Sequence, residues 1–171
     1  MKKWIVLLLC LLLCLPGCGA EENAESGVAA TTAPVAQFAK YIVEGTDVQV
    51  TQIISDSVSC LHDYSLSVRQ MEAVEKSKLL LLSGAGLEEF MEDTLPREKT
   101  VDCSAGITLL QQAHGDHSHD DPHIWLDPDN AAVMADNICD ALCRAYPDDA
   151  DTFRANTADL KADLAGLQPL L

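Results

Sequence analysis

Basic residues, long apolar runs and histidines outside one short stretch are all scarce in this chain, and each shortage narrows what it can do. Lys and Arg number 11 against 27 Asp and Glu, a formal charge of −16 over 171 residues. A surface that acidic repels nucleic acid and anionic headgroups and favours cations, so no nucleic-acid partner is expected. The one long apolar stretch, from Trp4 to Leu15, falls short of the roughly 20 residues that span a bilayer. Seven cysteines are present, yet no two have the C-x-x-C spacing of a metal or redox motif.

What the amino terminus does contain is the layout of an export signal. Lys2 and Lys3 precede the apolar run, and Leu15-Pro16-Gly17-Cys18 follows it. A small residue then stands at the cleavage position. Leu-x-Gly-Cys resembles the lipobox of bacterial lipoproteins, which implies lipidation at Cys18, a lipid anchor in the membrane, and a location on the outer face of the cytoplasmic membrane. Residues 1–17 are therefore expected to be a signal peptide and residues 18–27, polar and without large hydrophobes, a flexible tether. Cys60, Cys103, Cys139 and Cys143 have apolar neighbours and read as small buried side chains. Cys139 and Cys143 share one helix face, which leaves a disulfide open in an exported protein.

From Val28 onward, patterns with the periods of strands and helices alternate. Val28 to Thr32 is a short strand. Pro34 opens a helix with Val35, Phe38, Ala39 and Ile42 on one face, ended by Gly45. Val48 to Ile54 is a second strand. A loop, 55–63, leads to a helix capped by Ser67, with Val68, Met71, Val74 and Glu75 in its periodic positions. Leu79 to Leu82, bounded by Ser83-Gly84-Ala85-Gly86, looks like a central parallel strand buried on both faces. A helix from Leu87 to about Leu95 stops before Pro96, and Thr100 to Cys103 is the fourth strand. After a histidine-containing loop, Asp127 and Pro128 start a helix that buries Met134, Ile138, Ala141, Leu142 and Ala145. A last helix, opened by Pro147, repeats Phe153, Leu160, Leu164 and Leu167 at helical spacing. Alternation of this kind predicts an α/β lobe with a roughly four-stranded parallel sheet flanked by helices.

The chemistry concentrates in histidine. Four of the five histidines, His114, His117, His119 and His123, fall within ten residues, and only His62 lies elsewhere. Neutral imidazole is the commonest protein ligand for zinc and related ions. His62 follows the second strand and His123 the fourth, so both can reach the carboxyl edge of the sheet, where ligands of parallel α/β folds sit. Asp63 and Asp121 are placed to orient an imidazole through its other nitrogen. His114, His117 and His119 form a candidate accessory metal loop with Asp116, Asp120 and Asp121, or a merely polar one.

The succession of lipobox, Thr31-Thr32-x-Pro34, His62-Asp63-Tyr64, Ser83-Gly84-Ala85-Gly86-Leu87-Glu88, a His/Asp loop and Asp121-Pro122-His123-Ile124-Trp125-Leu126-Asp127-Pro128 resembles the zinc/manganese-binding solute-binding lipoproteins of metal ABC transporters. The resemblance covers essentially the whole chain, and the block from Asp121 to Pro128 is its most specific part. It implies two α/β lobes joined by one long helix, with a metal between them held by two ligands from each lobe. Carried over by motif, the first-lobe ligands are His62 and His123. The implied ion is Zn²⁺, favoured by the histidine-rich loop, with Mn²⁺ the alternative. The implied partner is the ABC permease of a metal importer, and no enzymatic step is implied.

On that frame residues 28–146 form an amino-terminal metal-binding lobe, and 147–171 resemble the start of the inter-lobe helix. A second lobe with the third and fourth ligands is not found in this sequence, so the expectation is the amino-terminal half of a capture protein. Its rival is a single-lobe metal buffer or chaperone. A zinc-dependent hydrolase fits less well. His117-Ser118-His119-Asp120-Asp121-Pro122-His123 approaches an H-x-H-x-D-H run but has Pro122 inserted, and no histidine follows it.

Overall fold

The computed structural model describes residues 27–54, 64–114 and 117–167, leaving aside the side chains of 112–114 and 117–119. The predicted signal peptide, Cys18 and the tether up to residue 26 lie outside the described residues, as do Cys60, His62 and Asp63.

Four short strands form one all-parallel sheet: β1 (Val28–Ala30), β2 (Val50–Gln52), β3 (Leu79–Leu82) and β4 (Thr100–Asp102), in the order β2-β1-β3-β4. The chain therefore moves outward from β1 to β2 and then crosses back over β1 to β3. That reversal makes the gap between the carboxyl ends of β1 and β3 the topological switch point, where open α/β sheets receive their ligands.

The sheet is buried on both faces because β1 and β3 are apolar at every position. Val28, Ala30, Leu79 and Leu81 point into the larger core, and Ala29, Leu80 and Leu82 into a smaller one on the other side. Helix α1 (Ala33–Ile42) covers the larger face with Val35, Ala36, Ala39 and Ile42, all fully buried. Helix α3 (Pro128–Ala145) adds Met134, Ala135, Ile138 and Leu142. Helix α4 (Ala150–Ala165) adds Phe153 and Leu160. The Asn156 amide of α4 donates to the carbonyls of Ile42 and Glu44, each at 2.9 Å, and so satisfies acceptors that the end of α1 leaves open. On the opposite face helix α2 (Val68–Lys76) buries only Val74. Among the described residues no helix is long and apolar enough to cross a membrane.

Several sequence expectations change. The periodic positions of α2 predicted a buried stripe, yet Val68 is 74% and Met71 48% exposed, because α2 meets a narrow sheet beside an open cavity of about 330 Å³. The expected helix from Leu87 to Leu95 is a 3-10 turn, Glu89–Thr94. Gly84, Ala85 and Gly86 before it all have positive φ, and Pro96 follows, so an α-helix has no room to propagate. The last helix starts at Ala150, after a 3-10 turn at Pro147–Asp149. The histidine loop contains an antiparallel hairpin, β5 (Gln111–His114) and β6 (His117–Asp120). Cys103, Cys139 and Cys143 are free thiols, and the Cys139 and Cys143 sulfurs stand 3.9 Å apart.

Candidate metal centre

Helix α3 fixes where His123 sits. Its carboxyl end lies at the amino edge of the sheet, since the Tyr146 hydroxyl donates to the carbonyl of Gly27, just before β1, at 2.9 Å. Asn137, halfway along, donates to the carbonyls of Cys103 and Ala105, just past the carboxyl end of β4. The nine residues from Asn137 back to Pro128 carry the helix start about 13 Å further along that direction, at 1.5 Å per residue. His123 therefore precedes a helix whose amino end projects past the carboxyl edge of the sheet.

The segment around His123 is held from both sides. Ile124 and Pro128 are buried, and Asp127 caps α3 by accepting the amide N–H groups of Asp129 and Asn130 at 2.8 and 3.1 Å. The Asp121 Oδ1 oxygen lies 2.7 Å from His123 Nδ1 and accepts the His123 backbone N–H at 3.0 Å. A carboxylate partner requires the proton on Nδ1, which leaves Nε2 with a lone pair. The His123 side chain is 57% exposed, and its ring lies 5.4 Å from that of Trp125, tilted by 55°. Trp125 is half-buried and packs on the larger core, so the imidazole leans on a ring with a foot in the protein interior.

Of the other expected site residues, the hairpin pairs the backbone of His114 with that of His117, and of His119 with that of Gln112. Their side chains, and His62 and Asp63 entirely, lie outside what is described. The flanks of the His62 segment are described. Ile53 and Ile54 donate their amides to the carbonyls of Ala30 and Thr31, both at 2.9 Å, which prolongs the β1–β2 pairing. On the far side, the Tyr64 ring meets Phe90 edge-on at 5.5 Å. Among the described residues no group of three or more His, Cys, Asp or Glu could hold a metal.

Motif reading missed the polar centre at the switch point itself. Glu88, 4% exposed, turns its carboxylate inward. It accepts the Thr31 hydroxyl at 2.5 Å and the Ser83 and Gly84 amides at 2.7 and 3.0 Å. Burial pushes its pKa up and the nearby Asp102 charge adds to that, while these hydrogen bonds pull it down without cancelling the rise. Beside it, Ser104 accepts the Ala85 amide at 3.0 Å and gives its own hydroxyl to Asp102 at 2.7 Å. Three consecutive amides of a left-handed turn are thus taken by side chains of the same protein, the arrangement of an anion nest already filled from within. An acid following an apolar strand and a glycine turn was the available signal.

The family described as ZnuA, zinc-uptake complex component A periplasmic, matches residues 28–170. The zinc-binding lipoprotein AdcA of Streptococcus pneumoniae is 29% identical over 178 residues, covering 92% of this chain and 35% of AdcA. The crystal structure of Zn(II)-bound AdcA superposes with a TM-score of 0.72 at 26% identity, over 86% of this chain and 32% of that one. A Mn-bound periplasmic metal binding protein from Candidatus Liberibacter asiaticus shares the fold, with a TM-score of 0.75 at 22% identity, over 85% of this chain and 55% of that one. The chain thus spans about a third of AdcA's length.

Proposed function

Since the chain belongs to the ZnuA family of periplasmic zinc-uptake components, we propose that it captures a transition-metal ion outside the cytoplasmic membrane for an ABC-type importer. Zinc is the first choice of ion and manganese the second. The ion is cargo, and no bond in a substrate is made or broken. His62 and His123 are the proposed ligands, with Asp63 and Asp121 orienting them. His114, His117 and His119 are proposed to collect the ion loosely on its way in. In the same reading residues 1–17 are the signal peptide, a lipid on Cys18 anchors the protein through the tether 18–27, and residues 28–146 form the metal-binding lobe. Residues 147–171 then correspond to the start of an inter-lobe helix.

The observation that carries this reading is the Asp121–His123 pair. A carboxylate holding one ring nitrogen fixes the tautomer and raises the basicity of the other, the usual support of a metal-binding imidazole. The acidic surface adds a general attraction for cations. Imidazole binds metal only when unprotonated, so uptake weakens on acidification.

Calorimetric titration of this chain with zinc, and separately with manganese, tests the assignment. Replacing both His62 and His123 by Ala is expected to abolish the strongest binding phase. Nanomolar zinc binding untouched by the double replacement would sink it. The anchor has its own test in the intact mass of the protein from native membranes, where a diacylglycerol adduct on Cys18 is expected and an unmodified thiol would count against it.

A further inference from the structure

We propose that Cys139 and Cys143 form a second metal site, a dithiolate clamp for a soft monovalent cation of the Cu(I) class, where α3 packs against α4. The clamp shares no residue with the histidine site and does not depend on it. Cys139 stands eleven residues along α3 from Pro128, about 16 Å at 1.5 Å per residue.

The two side chains lie one turn apart on α3, with their sulfurs 3.9 Å from each other. Cys139 is 6% exposed and belongs to the larger core, while Cys143 is half-buried at its margin. The Cys143 thiol gives its proton to the carbonyl of Ala150, the first residue of α4, at 3.7 Å. That proton is directed away from Cys139, so the lone pairs of Cys143 are left to face the neighbouring sulfur.

A disulfide does not suit this spacing. Cβ atoms four residues apart on a helix stand about 5–6 Å from one another, and a disulfide needs them at about 3.5–4.5 Å. Closing the difference would distort the last turn of α3. Tyr146 holds that turn, through its amide on the Leu142 carbonyl at 2.8 Å and its hydroxyl on the Gly27 carbonyl at 2.9 Å. An ion between the sulfurs asks for no such movement. Metal–sulfur bonds of about 2.3 Å reach both sulfurs at an angle of about 116°, close to trigonal, with the third position on the half-buried side of Cys143.

The kind of ion follows from the ligand count and the charge. Zinc asks for four ligands, and among the described residues no group of three or more His, Cys, Asp or Glu could supply even most of them. Thiolate is the ligand that selects soft ions such as Cu(I). Binding releases one proton from each thiol to solvent. Burial raises the pKa of Cys143, with Cys139 and Asp140 adding to the rise and Arg154 of α4 opposing it. Only an ion whose bonds to sulfur are strong enough to displace those protons will bind there. Two thiolates around a monovalent ion carry one net negative charge, which the Arg154 guanidinium offsets, although it also pairs with Asp151 at 3.1 Å.

The experiment titrates the chain with Cu(I) under anaerobic, reducing conditions, in competition with a chromophoric Cu(I) chelator, alongside Cys143→Ser and Cys60→Ser. Cys143→Ser keeps a hydroxyl where the thiol was and loses the soft donor. Its Cu(I) affinity is expected to fall more than about 100-fold, beyond the 10- to 100-fold that a merely supporting partner is worth. Cys60→Ser is expected to bind Cu(I) as the parent does. Zinc affinity, measured in parallel, is expected to be the same in Cys143→Ser as in the parent, which separates this site from the histidines. A parent that holds no tight Cu(I) equivalent, or a Cys143→Ser that holds it as tightly, would overturn the clamp, and so would an equal loss of zinc affinity. X-ray absorption of the Cu(I)-loaded parent needs no variant to fold. At least two sulfur neighbours are expected, and a shell of nitrogen and oxygen alone would also overturn it.

Discussion

Asp121 accepts both the ring Nδ1 proton and the backbone amide of His123 through one oxygen, at 2.7 and 3.0 Å. The double contact fixes the imidazole relative to its own main chain, so rotation of the ring breaks one bond and bending of the loop breaks the other. Asp121→Ala removes both and leaves His123 exposed. Zinc affinity is expected to fall about 10- to 100-fold, the usual cost of losing a carboxylate behind a metal-binding histidine. Chelator competition reads it, and an unchanged affinity would mean that His123 does not bind the ion.

Gly84 and Gly106 provide a matched pair. Both have φ near +85°, so alanine at either position pays the left-handed penalty of about 1–2 kcal/mol. At Gly106 nothing lies within 4 Å of the added Cβ, whereas at Gly84 it would fall on the Asp102 carboxylate and the Ser104 side chain. Those groups hold the Ala85 amide and cannot step aside without giving it up. Gly84→Ala should therefore lower the urea midpoint clearly more than Gly106→Ala. Equal midpoints would mean that the turn relaxes freely.

Where one residue decides the local outcome, the fold was legible in advance. The Ser67 cap and the Asp127-Pro128 helix start lie where the sequence puts them, because a side chain and the first free amides of its own helix need nothing else. Leu79 to Leu82 reads as the central strand because four consecutive apolar residues suit a site covered on both faces. The misses involve partners distant in sequence. The tight turn after Gly86 depends on Glu88 turning in toward Thr31, 57 residues earlier. The exposure of Val68 and Met71 depends on how little of α2 the sheet can cover. Of the candidate site, the His123 environment could be anticipated from one octapeptide.

Tyr146 ties the end of α3 to the start of β1. Its hydroxyl shares the Gly27 carbonyl with the Lys78 amide, which lies at 3.0 Å, and the Lys78 ammonium stands 4.5 Å from the centre of the tyrosine ring. Tyr146→Phe removes one of two hydrogen bonds to that carbonyl and keeps the aromatic face under the cation. The expected loss is about 0.5–1 kcal/mol, the low end for a hydrogen bond whose acceptor keeps another partner. Tyr146→Ala also empties the ring's place against the core and should cost more. Chemical denaturation of the two variants checks the order, and a phenylalanine variant as unstable as the alanine one would contradict it.

Glu88 should leave a signature in the pH dependence of stability. Its pKa is raised from the ordinary 4.5, chiefly by burial. Between the ordinary and the raised value the folded protein keeps a proton that the unfolded chain has released. Stability therefore falls as pH rises through that window, and the loss is complete above it. The groups facing the carboxylate are the Thr31 hydroxyl, the Ser83 and Gly84 amides, and Asp102, whose charge acts in the same direction. Cys103, pushed well above the ordinary thiol value by burial, stays neutral throughout. Glu88→Gln cannot titrate, and its amide nitrogen would face a backbone N–H, donor against donor. The variant should be less stable by about 1–3 kcal/mol, the cost of a buried group left unpaired. That deficit should be largest below pH 4.5 and shrink as pH rises, because only the parent loses stability across the window. Denaturant titrations of both proteins between acid and neutral pH measure the gap, and one that stays constant or widens with pH would show that Glu88 is not the group responsible.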